Sequence, residues 1–184
     1  MGKKYTICVS GGAEGGNAKK AKVMSYKVGQ LIAQKGCVLI TGATTGVPFE
    51  AARGAKEAGG SNIGFSPAGS EEEHVRKYRL PADKDIFDHI IYAEAGYTGR
   101  NLLMVRSSDA TIVIDGRIGT LNEFTVAFEE NEIIGVLQGS GGIADEIERL
   151  LSVAGKGLRK TIFDDDPEKL VKKVIARIKK EKKR

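Results

Sequence analysis

The stretch ATIVIDGRIGTLNEF, Ala110–Phe124, decides the fold. Ala110 to Ile114 is an unbroken apolar run with β-branched residues, the pattern of a strand buried on both faces. Gly116 and Gly119 then break the chain, and a helical pattern begins at Thr120. A buried strand leading through a glycine loop into a helix is half of a crossover unit, and such units build parallel sheets.

The same rhythm extends in both directions. Short apolar runs at Tyr5 to Ser10, Val38 to Thr41, Asn62 to Ser66, His89 to Tyr92, Ile133 to Leu137 and Thr161 to Phe163 read as further buried strands. Helical spacing fills most of the gaps, at Ala18 to Gln34, Val47 to Ala58, Arg100 to Ser107, Thr120 to Glu130 and Ile143 to Leu151. The alternation predicts an α/β fold with a mainly parallel sheet of about seven strands, covered on both faces. A last helix over about 166–184 is marked by Asp165 or Asp166 as cap, Pro167 in the first turn, and Leu170, Val174 and Ile178 every four residues. The polar segment from Pro67 to Asp88 interrupts the rhythm, as a surface loop or as a flap over a site.

With 184 residues, the chain is expected to form one domain. Neither a membrane helix nor a secretory signal is visible, so a cytoplasmic location is expected. A net charge of +5 raises the question of nucleic acid, but Lys169 to Arg184 alone carries +8 and leaves −3 for the rest. A basic tail of this kind is usually a solvated helix end, so nucleic acid is not the expected partner. Cys8 and Cys37 sit inside apolar runs and read as core thiols. His74 and His89 are too isolated to suggest a metal site, His89 reading as an edge or core histidine, and no cofactor is called for.

In an open parallel sheet, ligands bind beyond the carboxyl ends of the strands. Four glycine-rich or polar loops fall there: Ser10 to Gly16, Thr41 to Gly46, Gly96 to Gly99 and Asp115 to Thr120. Glycine permits close backbone approach, and a helix start offers free N–H groups, so these loops suit a phosphate. They equally suit tight turns. GGAEGG lacks the spacing of a dinucleotide fingerprint, and neither a P-loop nor a nucleophile elbow is present.

The run GRNLLMVRSSDATIVIDGRIGTLNEFTVAFEE, Gly99–Glu130, resembles the LOG-type ("lysine decarboxylase-like") nucleotide phosphoribohydrolases, marked by an arginine-bearing helix, a strand, and P-G-G-x-G-T-x-x-E. Arg100 matches the motif arginine, and Gly116, Gly119, Thr120 and Glu123 match the second motif. KGCVLITGATTGVPFEAARGAKEAGG is similar to the family's second strand, glycine loop and helix. The chain departs from the pattern at Asp115 (for Pro), Arg117 (for the second Gly), Asn101 (for a frequent Lys) and Thr41 to Gly46 (for a triple-glycine loop). It looks closer to a less characterised branch that also resembles molybdenum-cofactor carrier proteins. The resemblance implies a single-domain, doubly wound Rossmann-like fold over 1–184 and a homodimer, for which Leu102, Leu103, Phe124 and Phe128 would suit the interface or, equally, the core.

It also implies roles for residues. A nucleoside 5′-monophosphate would rest its phosphate on Gly116, Arg117, Ile118, Gly119 and Thr120, with Gly11, Gly12, Gly42 and Thr45 from the neighbouring loops as further ligand-binding positions. Arg117 would add charge there or pair with Asp115. Glu123, one turn into the helix, would stabilise the oxocarbenium-like charge of N-glycosidic cleavage, and Arg100 would anchor the ribose or phosphate and hold that carboxylate ionised. Two readings follow. The leading one is a phosphoribohydrolase that releases base and ribose 5-phosphate, with Arg100 and Glu123 catalytic; the alternative is a carrier or sensor holding a nucleotide or phosphorylated cofactor in the same cleft.

Overall fold

The computed structural model describes residues 4–13 and 18–182. Seven parallel strands, β1 (Thr6–Gly11), β2 (Val38–Thr41), β3 (Asn62–Ser66), β4 (His89–Tyr92), β5 (Ala110–Ile114), β6 (Ile133–Leu137) and β7 (Thr161–Asp164), form one sheet in the order β4-β3-β2-β1-β5-β6-β7. Every pairing is parallel. The expected α/β, doubly wound Rossmann-like sheet is therefore what the chain forms.

Among the described residues six helices connect the strands and a seventh follows β7: α1 (Ala18–Gln34), α2 (Val47–Glu57), α3 (Glu71–Arg76), α4 (Gly96–Arg106), α5 (Ile118–Glu129), α6 (Gly142–Val153) and α7 (Pro167–Glu181). Residues α1, α2 and α7 contribute, among them Val28, Ile32, Ala51, Leu170 and Val174, share one apolar cluster with Ile7, Val9, Leu39, Ile112 and Ile114. Residues of α5 and α6, with Val105 of α4, pack on the other face against Val113, Ile134 and Val136. Successive residues of β5 thus point to opposite layers, which is why that strand reads as continuously apolar.

Two differences from the sequence reading concern the site. Gly96 to Gly99, expected as a loop, is the first turn of α4. Within the polar Pro67 to Asp88 segment lies α3, too short to show helical periodicity; Ser70 caps it by accepting the Glu73 N–H at 3.2 Å. At the end of the chain Asp166, and not Asp165, caps α7, accepting the Glu168 and Lys169 N–H groups. A cap of this kind contributes about 1 kcal/mol.

Candidate functional site

The strand order reverses between β1 and β5, and the crevice at such a reversal is where open α/β sheets take ligands. A cleft of about 520 Å³ lies there, beyond the carboxyl ends of β1, β2 and β5. Of the residues expected to bind or react, Gly11, Gly12, Gly42, Thr45, Arg100, Arg117, Gly119, Thr120 and Glu123 line it. Gly116 and Ile118 do not. Gly116 lies buried behind the loop, and Ile118 points to solvent with 76% of its surface exposed.

The loop after β5 shows how local chemistry shapes the cleft wall. Asp115 and Gly116 both take positive φ, 54° and 102°, which swings the chain out of the strand. The Asp115 N–H donates to Ser140 Oγ at 2.8 Å, and the carbonyls of Asp115 and Gly116 accept the N–H groups of Ala144 and Ile143 at the start of α6. Proline, the motif residue here, has neither the N–H nor access to that φ. The departure at Asp115 is therefore a different loop geometry, tied down from behind by α6. Arg117 and Gly119 are left exposed toward the cleft, and Arg117 makes no ion pair with Asp115 or any other described residue. The first hydrogen bond of the α5 turn is Leu121 N–H to the Arg117 carbonyl, so the N–H groups of Ile118, Gly119 and Thr120 precede the helical ladder.

Glu123 sits on the next turn of α5, 7% exposed, with its carboxylate on the Ser10 hydroxyl at the end of β1. In the sequence Ser10 is the polar residue closing an apolar strand, with no local signal that ties it to Glu123. Arg100 is 4% exposed. Its Nη1 donates to the carbonyls of Gly42 and Phe65 and its Nε to Asn101 Oδ1 at 3.1 Å. A Cβ at position 42 would overlap that guanidinium, so the glycine of the β2 loop makes room for an arginine and not only for a ligand. Asn101 also donates to Asn122 Oδ1 at 3.0 Å, tying α4 to α5.

The electrostatics differ from expectation. Arg100 and Glu123 share the cleft and attract each other across it, but form no ion pair within 4.0 Å. Burial pushes the Glu123 carboxyl up, outweighing the opposing pull of Arg100 and of the Ser10 hydrogen bond. Burial likewise lowers Arg100. The lowering pull expected of Arg100 on Glu123 is present but smaller than the desolvation. Burial also raises the Cys8 thiol beneath the site, with Glu123 adding to the effect, so Cys8 stays a protonated core thiol.

The polar Pro67 to Asp88 segment supplies the far wall of the cleft through Tyr78, Arg79 and Leu80, with Tyr97 beside them. No spacing or composition signal marked these residues. Of the histidines, His74 is fully buried between Ser66 and Pro81, and His89 lies exposed on the edge strand. Among the described residues no three His, Cys, Asp or Glu gather as a metal site, and no helix is long and apolar enough to cross a membrane. Phe124 and Phe128 belong to the core, leaving Leu102 and Leu103, 39% and 45% exposed, as the surface part of the expected interface.

This fold has counterparts among known proteins. The SLOG cluster4 family model matches residues 4–171, and the chain belongs to that family. A protein of Archaeoglobus fulgidus described as uncharacterized is 37% identical over 115 residues, 62% of this chain and 69% of its own. The molybdenum cofactor binding protein of Rippkaea orientalis superposes with a TM-score of 0.78 at 27% identity, over 96% of this chain and 98% of that one. The molybdenum cofactor carrier protein of Chlamydomonas reinhardtii gives 0.74 at 26% identity, over 95% and 99%.

Proposed function

We propose that the chain holds a phosphorylated small molecule of the nucleotide class in this cleft, with its phosphate against the start of α5. One observation carries the reading: the α5 turn at Gly119 and Thr120 and the exposed guanidinium of Arg117 form one wall of the cleft that Arg100 and Glu123 complete. Free N–H groups at a helix start and a guanidinium suit a phosphate dianion. Similarity to proteins named for binding or carrying the molybdenum cofactor is not needed for this step; their names support holding over cleaving.

The local chemistry supports the same preference. A carboxylate that stabilises an oxocarbenium-like transition state must be ionised, and burial works against that at Glu123. The Arg100 Nη1 and Nε are committed to the carbonyls of Gly42 and Phe65 and to Asn101. The hydrolase reading is favoured by the meeting of Arg100, Glu123 and Ser10 in a single cleft, and stands second. Pairing of two chains through the exposed α4 leucines, and residence in the cytoplasm, belong to the same proposal.

The test is to titrate the protein with AMP, GMP, CMP, UMP and IMP by calorimetry and to follow the mixtures for free base by chromatography. Binding without base release, weakened about tenfold by Arg117→Ala with the melting temperature unchanged, is expected. Base release that disappears in Glu123→Gln while binding persists would establish the hydrolase instead. Neither binding nor release would overturn both readings.

A further inference from the structure

Arg79 is the feature of the cleft that neither the phosphate wall nor the Arg100 and Glu123 pair uses. It rides on the connection between α3 and β4, where the backbone adopts φ 52°. A non-glycine residue other than Asn or Asp is uncommon there and persists only when its surroundings impose it. They do so on both sides. The Tyr78 N–H donates to the Glu73 carbonyl at 3.2 Å, and the Leu80 N–H donates to the His74 carbonyl at 3.1 Å.

His74 clamps the strap from below. A carbonyl only accepts, so Nε2 carries a proton and donates to the Pro81 carbonyl at 3.1 Å, while Nδ1 is hydrogen-bonded with Ser66 Oγ at 2.8 Å. Above it, the Tyr78 ring meets Tyr97 edge-on at 5.4 Å, and Tyr97 in turn carries the Arg100 guanidinium 5.8 Å from its ring centre. The strap is thus fixed to the same helix that bears Arg100. Arg79 itself remains exposed, lines the cleft, and forms no ion pair with a described residue.

Arg117 stands at the end of β5 and Arg79 enters from the β4 side, with β3, β2 and β1 between those strands. The described lining carries the guanidinium groups of Arg79, Arg100 and Arg117 against the single carboxyl of Glu123. A phosphate dianion at the α5 turn matches this excess in sum, but it sits at Arg117 and leaves Arg79, on the far wall, with no anion facing it. We propose that Arg79 is a second anion-binding residue, and that the cleft takes a phosphate monoester bearing another anionic group at its far end. This rests on the nucleotide reading above: Arg117 takes the first anion and Arg79 selects for the second.

The probes are nucleoside 5′-monophosphates and the corresponding nucleoside 3′,5′-bisphosphates, titrated by calorimetry into the unmodified protein and into Arg79→Ala and Arg79→Asn. Asparagine tolerates positive φ, so the second variant removes the charge without adding backbone strain; thermal unfolding checks that both variants are folded. The bisphosphate is expected to bind about tenfold more tightly than its monophosphate, and both variants are expected to erase that gain while leaving monophosphate affinity within twofold. Equal affinity for the two probes, or a gain that survives both variants, overturns the role of Arg79 while leaving the phosphate wall intact. No binding of any probe overturns the nucleotide reading and this inference together.

Discussion

Two carboxyls lie nine residues apart, the buried Glu123 within α5 and the half-buried Glu132 just beyond its end, and the contrast between them separates a site from a defect. Glu123, at the carboxyl end of the sheet, accepts from Ser10, feels Arg100, and opens onto the cleft. Glu132, after the helix and before β6, is pushed up to about 7 by burial and then by Glu130, and its Oε2 finds no hydrogen-bond partner among the described residues. Burial raises both, yet only one has partners and room for a ligand. A displaced pKa therefore marks function only when a cavity and complementary groups accompany it.

The largest expected effect breaks the partnered end. Arg100→Met strips the Gly42 and Phe65 carbonyls of their donor and Glu123 of its opposing charge. A loss of about 2 to 4 kcal/mol in urea denaturation is expected from the two buried carbonyls. Arg106→Met, which removes the cation that favours ionised Glu132 but is itself mostly exposed, is expected to change stability by less than about 0.5 kcal/mol. Comparable losses from the two substitutions would erase the distinction.

A smaller effect tests the unpartnered end. Glu132 titrates near 7 in the folded chain and near its ordinary value when unfolded, so between those values the native state holds a proton that the unfolded state has lost. Its contribution to stability then falls as pH rises through that window and stays unfavourable above it. Glu132→Gln is expected to stabilise the protein at pH 8 by on the order of 1 kcal/mol, after discounting for solvent access, and to change little at pH 4. Denaturation curves at the two pH values read this directly; equal effects at both would place Glu132 outside the titration.

The smallest expected effect separates the two carboxyls by ligand and not by stability. Glu123→Gln removes a charge that a bound phosphate would feel, and should tighten nucleoside monophosphate binding about twofold to fivefold at pH 8. Glu132→Gln, at the other end of the sheet, should leave it unchanged. Calorimetric affinities of the two variants sharpen the comparison, and a reversal of their effects would break it.

How much of this the sequence shows follows from what each feature needs. The strands and most helices are legible because burial on two faces forces apolar runs, and the helix faces repeat every three or four residues. The glycine and threonine wall of α5 was legible for the same reason, since Gly119, Thr120 and Glu123 lie within one local segment. Ser10 and Glu123, 113 residues apart, and Arg100 beneath Gly42 meet only through the strand order, which no local pattern encodes. Arg79 was invisible because its placement depends on a short helix, a buried histidine and a tyrosine pair from different elements. The Asp115 departure was visible as a letter; its meaning lay in a positive φ and a hydrogen bond to Ser140.

A crystal structure of the protein soaked with whichever nucleoside 5′-monophosphate binds most tightly tests the central claim most directly. The phosphate is expected within hydrogen-bonding distance of the Gly119 and Thr120 amides and the Arg117 guanidinium. A nucleotide seated elsewhere, for instance against Lys27 and Lys169 at the start of α7, with the cleft between β1 and β5 empty, would contradict it.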